Sequence, residues 1–237
     1  MNHRFLARVL PPMTACAGLG LLGFALVAGG VPSKKPGIYP PSAHPFGHTY
    51  AEWSEKYWQW GMGLPLDGHP FLDTPDFDVT EGQSGDVWFL ASVFGTVERT
   101  CTIPADTALF VGMVNVETSS LEGTATEAEQ EATSIFFADH ILDLACTLDG
   151  VPVGNMADFR FLSEQFSFTA PTPWIFGETG GTGTTVADGY YVFLKPLSAG
   201  EHVLHMEGAF HFAVAEGDPF DFDAAIDMTY NLIQLDG

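Results

Sequence analysis

Between Thr49 and Leu64 the apolar positions recur with the period of a helix. At about 100° per residue, Tyr50, Trp53, Tyr57, Trp60 and Leu64 fall on one side, and Ala51, Trp58 and Met62 on the adjacent one. Only Glu52, Glu55, Lys56 and Gln59 are left for water. Thr49 with Glu52 three residues on predicts a capping box at the helix start. A helix this apolar has to be covered, most simply by a β-sheet; the alternative is an aromatic platform for sugar rings.

Downstream the period changes to two. Asp86–Phe94 and Val97–Ile103 read as strands joined by a Gly95-Thr96 turn, predicting a hairpin. Ala108–Glu117 is almost continuously apolar, the pattern of a strand buried on both faces. Thr124–Leu142 returns to a helical reading, with Thr124/Glu127 and Thr126/Glu129 both spaced as capping boxes. Leu144–Val153 centres on Asp149-Gly150, a type I′ hairpin signal. Phe159–Leu162, Gln165–Thr169, Val186–Pro196, Glu201–Phe212 and Phe222–Leu235 read as further strands. Pro171–Thr185 has neither period and reads as a long loop. The expected architecture is mainly β: a single-domain antiparallel β-sandwich, jelly-roll or immunoglobulin-like, with two α-helices, one of them N-terminal and aromatic.

The first 30 residues stand apart. Arg4 and Arg8 precede an apolar run from Ala15 to Ala28, and the small residues Ala28, Gly29 and Gly30 offer a cleavage point. Residues 1–30 are thus expected to be a signal peptide, 31–48 an extended leader, and 49–237 one domain in a secreted or periplasmic protein, free of the membrane after cleavage. Among 237 residues, 30 are acidic and 8 basic, a formal charge of −22. Such a surface repels nucleic-acid phosphates and anionic lipid heads. In an oxidising compartment, Cys101 and Cys146 are expected to form a disulfide. Closing that loop would stabilise by roughly 4 kcal/mol.

The candidate chemistry is scattered. Asp73, Asp76 and Asp78 are a possible calcium loop, and calcium is the one cofactor these residues suggest, but the EF-hand spacing is missing and a solvated acidic loop is the plainer reading. Asn115 and Glu117, two apart, share a face of their strand. Glu117 and Asp188 are the acid/base candidates, on condition that they converge in one cleft. Trp174 and Phe176, with Asn115, are candidate ligand contacts; Trp174 fits sugar stacking and a plug at the end of the fold equally. On Glu201–Phe212 alternation puts His205, Glu207 and His211 on one face. His205 and His211 would lie about 20 Å apart on a straight strand, too far to share an ion unless Gly208 bends it. No Gly-x-Ser-x-Gly, His-Glu-x-x-His, P-loop or dinucleotide motif is present.

Gly82-Gln-Ser-Gly-Asp-Val-Trp-Phe-Leu90, Cys101-Thr-Ile-Pro104, Asn115-Val-Glu117 and Leu197-Ser-Ala-Gly-Glu-His202 together resemble a family of secreted bacterial proteins that pair a Trp-rich N-terminal helix with a β-rich body. The resemblance runs from about Tyr50 to the end. It implies secretion and a single β-sandwich domain, and carries over no catalytic residue. Three functions fit: a secreted binding or cell-surface module for polysaccharide or another surface polymer, a carboxylate-dependent hydrolase or lyase, and a structural envelope protein.

Overall fold

The computed structural model describes residues 37–74 and 77–237. The expected signal peptide, the start of the leader and Asp76 lie outside these residues.

The aromatic helix α1 spans Tyr50–Gly63. Its capping box forms as the spacing dictates: Glu52 N–H donates to Thr49 Oγ1, and Thr49 N–H to Glu52 Oε2 at 2.7 Å. At its other end His69 Nε2 lies 2.8 Å from Gly61 O and its Nδ1 accepts from Phe71 N–H. Burial lowers the His69 pKa to about 4, so the neutral ring serves as donor and acceptor at once. Phe71 folds onto Gly61, where a Cβ would sit 2.2 Å from the ring. Tyr50, Trp53, Tyr57 and Trp58 are buried, so the packing reading of the aromatic stripe holds. The leader is not loose from Gly37 onward. Tyr39 N–H donates to Phe193 O, Tyr50 O–H to Tyr39 O, and Trp53 Nε1–H to Pro45 O.

Among the described residues nine strands follow: β1 Val87–Leu90, β2 Gly95–Ile103, β3 Ala108–Ser119, β4 Ile141–Leu148, β5 Val151–Pro152, β6 Phe166–Ala170, β7 Gly181–Leu194, β8 Gly200–Phe212 and β9 Phe222–Gln234. The second helix, α2, is Glu127–Ala138, entered through the Thr126/Glu129 capping box. One sheet has the order β1-β3-β7-β6, the other β2-β9-β8-β4-β5. The pairs β1/β3 and β2/β9 are parallel, which corrects the wholly antiparallel expectation.

Those two pairs also remove the expected hairpin, because β1 and β2 belong to different sheets. Residues 91–94 cross between them, held by Tyr230 Oη donating to Ala91 O and Ser92 Oγ to Met113 O. The β4–β5 hairpin forms as expected, with Asp149 and Gly150 at φ 52° and 72°. The expected strand Phe159–Leu162 does not form: Phe159 ends a 3-10 turn that starts at Met156 and Arg160 makes only an isolated bridge to Tyr190, while β7 begins inside the expected loop.

The expected Cys101–Cys146 disulfide is absent: both thiols are free and buried. Cys101 on β2 and Cys146 on β4 are three strand spacings apart, about 14 Å. Cys101 lies opposite Leu232, which faces His202, whereas Cys146 faces Met206, four residues further along β8 and so about 13 Å away. No bridge spans that distance. Burial pushes both thiols up to about 12.

Candidate functional site

The four-stranded sheet decides the fate of the two carboxylate candidates. In the β3/β7 register Glu117 faces Ala187 and Val116 faces Asp188. Directly opposed residues share a face and successive residues alternate, so Glu117 and Asp188 point to opposite sides of one sheet. Asn115 shares the Glu117 face, as its spacing requires, and bonds Tyr57 on the α1 side. Thr118 and Asp188 share the other face, where Thr118 Oγ1 reaches Gln130 O and Ser134 Oγ of α2.

Asp188 is a structural anion. Arg160 clamps it from two nitrogens, Nε at 3.0 Å and Nη2 at 2.7 Å, while Nη1 holds Asp139 at the end of α2. Burial pushes the Asp188 carboxyl up against the opposing pull of Arg160.

Glu117 has a different partner, Glu122, from the turn after β3. Their carboxyls hydrogen-bond, Thr185 Oγ1 donates to Glu117 Oε2 at 2.5 Å, and Ser119 Oγ donates to Glu122 Oε2 at 2.7 Å. Two carboxyls bond only when one carries a proton. Burial first, and then the charge of Glu122, raise the Glu117 pKa well above the carboxylate range, so Glu117 holds it. Glu117 is only 3% exposed, and the pair works as an internal proton-sharing contact.

Trp174 is a plug. It is 3% exposed, stacks on Phe168 at 5.8 Å, and meets Phe176 edge-on. Phe176 is half-buried and extends towards Trp58. Beside this cluster a shallow groove of about 260 Å³ runs between α1 and β6, lined by Gln59, Ser167, Phe168, Thr169 and Thr182. Gln59 Nε2 donates to Ser167 O, and the Thr169 and Thr182 hydroxyls lie 3.3 Å apart. All its polar groups are neutral.

Of the calcium candidates, Asp76 lies outside the described residues, and Asp73 and Asp78 each have a local partner. Asp78 Oδ1 accepts from the amide and hydroxyl of Thr80, and Asp73 lies 3.9 Å from Arg99. On the five-stranded sheet, β8 pairs with β9 without a register break from Gly200 to Phe212, so Gly208 does not bring His211 to His205. His211 pairs instead with Asp223 at 2.6 Å, and His205 with Asp227 at 2.9 Å. Glu122, Arg160 and Asp227 had no place in the sequence reading. Each acts through a pairing that only the tertiary register reveals.

No protein-family profile, curated protein or solved structure matches the chain. Among the described residues no helix is long and apolar enough to cross a membrane.

Proposed function

We propose that the chain is an exported binding protein whose two sheets close face to face as a β-sandwich, with neutral polysaccharide as ligand in the groove between α1 and β6. Contact between the sheets at Val114 and Gly208 supports the sandwich. The observation that carries the ligand is the groove's lining. On a chain of net charge −22, none of its five residues is charged, and its amide and hydroxyls are the groups that bond sugar hydroxyls. The half-buried Phe176 beside it offers a ring edge to a sugar. Export and the resemblance to secreted bacterial proteins belong to the same reading. A hydrolase that uses Glu117 and Asp188 together has no common cleft in which to work.

Retention on a panel of neutral and charged polysaccharides tests the proposal. The wild type is retained on a neutral polymer, and Gln59→Ala and Thr182→Val lower retention at least threefold with unchanged melting temperature. No retention on any polymer, or retention indifferent to both substitutions, overturns it.

A further inference from the structure

The outer face of the five-stranded sheet carries a second constellation. Glu207 on β8 lies directly opposite Asp227 on β9, and His205 stands two residues along on the same face, opposite Thr229. One donor atom from each of the three falls within 4.8 Å of the others. His205 Nε2 is 2.9 Å from Asp227 Oδ1 and 3.8 Å from Glu207 Oε1.

We propose that His205, Glu207 and Asp227 bind one divalent first-row transition ion. The geometry comes first. Donors that share an ion at about 2.0–2.2 Å sit roughly 3.0–3.6 Å from each other. The two His205 separations bracket that range, so small side-chain rotations seat the ion and the backbone stays in place. Strand pairing on both sides holds that backbone: β8 lies between β4 and β9, and β9 between β8 and β2. The neighbours on this face are Ala145 and Thr147 of β4 and Thr96 of β2, small and neutral, with Glu98 of β2 opposite Thr229 and bonded by Asn231, and the outward side stays open for water ligands.

Charge gives a separate argument. Two carboxylates directly opposed on neighbouring strands repel each other. Among the described residues no lysine or arginine forms an ion pair with either of them, and His205 is the partner of both. A divalent cation balances the two charges and removes the repulsion. The donor set chooses the ion: one imidazole nitrogen with two carboxylate oxygens suits zinc, manganese, cobalt or nickel, whereas calcium takes six to eight oxygens. This site lies on the other sheet from the polysaccharide groove, and the proposal stands or falls without it.

Titration calorimetry of the metal-free chain with zinc, manganese and calcium chlorides, beside thermal melts, tests the assignment. The expected result is one saturable equivalent of zinc or manganese, a rise in melting temperature on binding, and weaker calcium binding. His205→Ala and Asp227→Asn each lower the affinity at least tenfold and keep the metal-free melting temperature within a few degrees. His211→Ala, on the same face but paired with Asp223, leaves affinity unchanged. Absence of saturable binding overturns the proposal. So does an affinity that survives both substitutions, or one that His211→Ala lowers equally, which is the signature of diffuse binding to the acidic coat.

Discussion

His202, at the start of β8, places its Nδ1 2.7 Å from Asp149 Oδ2 in the β4–β5 turn, while its Nε2 lies 2.9 Å from Ser198 O. The same carboxylate accepts from Val203 N–H, so one aspartate fastens two turns that are distant in sequence. Partial burial works against the charged ring. The bonds to Asp149 and Ser198 and the charge of Asp149 outweigh it, and the His202 pKa lies above its ordinary value of 6.5. The folded state therefore holds this proton more tightly than the unfolded chain does. The stabilisation is full below about pH 6.5 and disappears as pH rises through the folded value. His202→Ala should cost about 1 kcal/mol at pH 5.5 and much less at pH 9, read as melting temperatures at the two pH values. Equal losses at both would remove the charged pair from the account.

Glu117 is expected to bias stability towards acid as well, for a different reason. Its raised pKa means that the buried carboxyl is neutral in the fold, so its contribution is complete below pH 4.5 and lost as pH rises through the folded value. Glu117→Gln keeps an oxygen for Thr185 and supplies an N–H for Glu122. Its melting temperature should exceed that of the wild type at pH 8 and lose the advantage near pH 4.5. Parallel melting curves across that range would show that Glu117 carries no displaced proton.

Arg99 should be the most damaging single loss. Its side chain is fully buried, with Nη1 donating to Pro70 O, Nη2 to Leu72 O, and the guanidinium 4.1 Å from the Phe77 ring. Arg99→Met leaves two carbonyls unpaired and should cost about 2–4 kcal/mol. Arg99→Lys should recover little, because one ammonium does not reproduce the fork. Limited proteolysis gives an independent readout: cleavage within residues 65–80 should accelerate in both variants. Unchanged cleavage there would mean that the loop is held by other contacts.

Cys101 and Cys146 give a direct chemical check on the sheet order. A thiol reagent should leave Cys101 and Cys146 unmodified in the folded protein. Both should react after denaturation without reductant. A chain whose two thiols appear only after reduction would contradict the separation of β2 from β4.

Local chemistry made several elements readable in advance. Thr49 with Glu52 and the spacing of Tyr50, Trp53 and Tyr57 specify α1 from within one stretch of chain, as Asp149-Gly150 specifies its hairpin. The side shared by Asn115 and Glu117 was also legible, because parity along one strand needs no partner. The relation of Glu117 to Asp188 was not, since it depends on Val116 facing Asp188 across two strands 72 residues apart. The same holds for Asp227, whose nearness to His205 exists only in the β8/β9 register. The apparent β1–β2 hairpin misled because both strands and the Gly95 turn look locally right. Their true partners, β3 and β9, were fixed by packing. The cysteine pairing was inferred from compartment and count, neither of which carries distance.

The parallel ladder between β2 and β9 has a bearing on biogenesis. Glu98 and Asn231, hydrogen-bonded across it, are 133 residues apart. In the order β2-β9-β8-β4-β5 the last two strands to be synthesised fill the middle of the sheet. Until residue 212 has emerged β4 lacks its partner β8, and until residue 234 has emerged β2 lacks its partner β9. Such high contact order makes folding slow and ties formation of this sheet to the completion of β9. A nascent chain of this design keeps this sheet open until β9 is made, and a few residues trimmed from β9 would unmake the sheet from its centre.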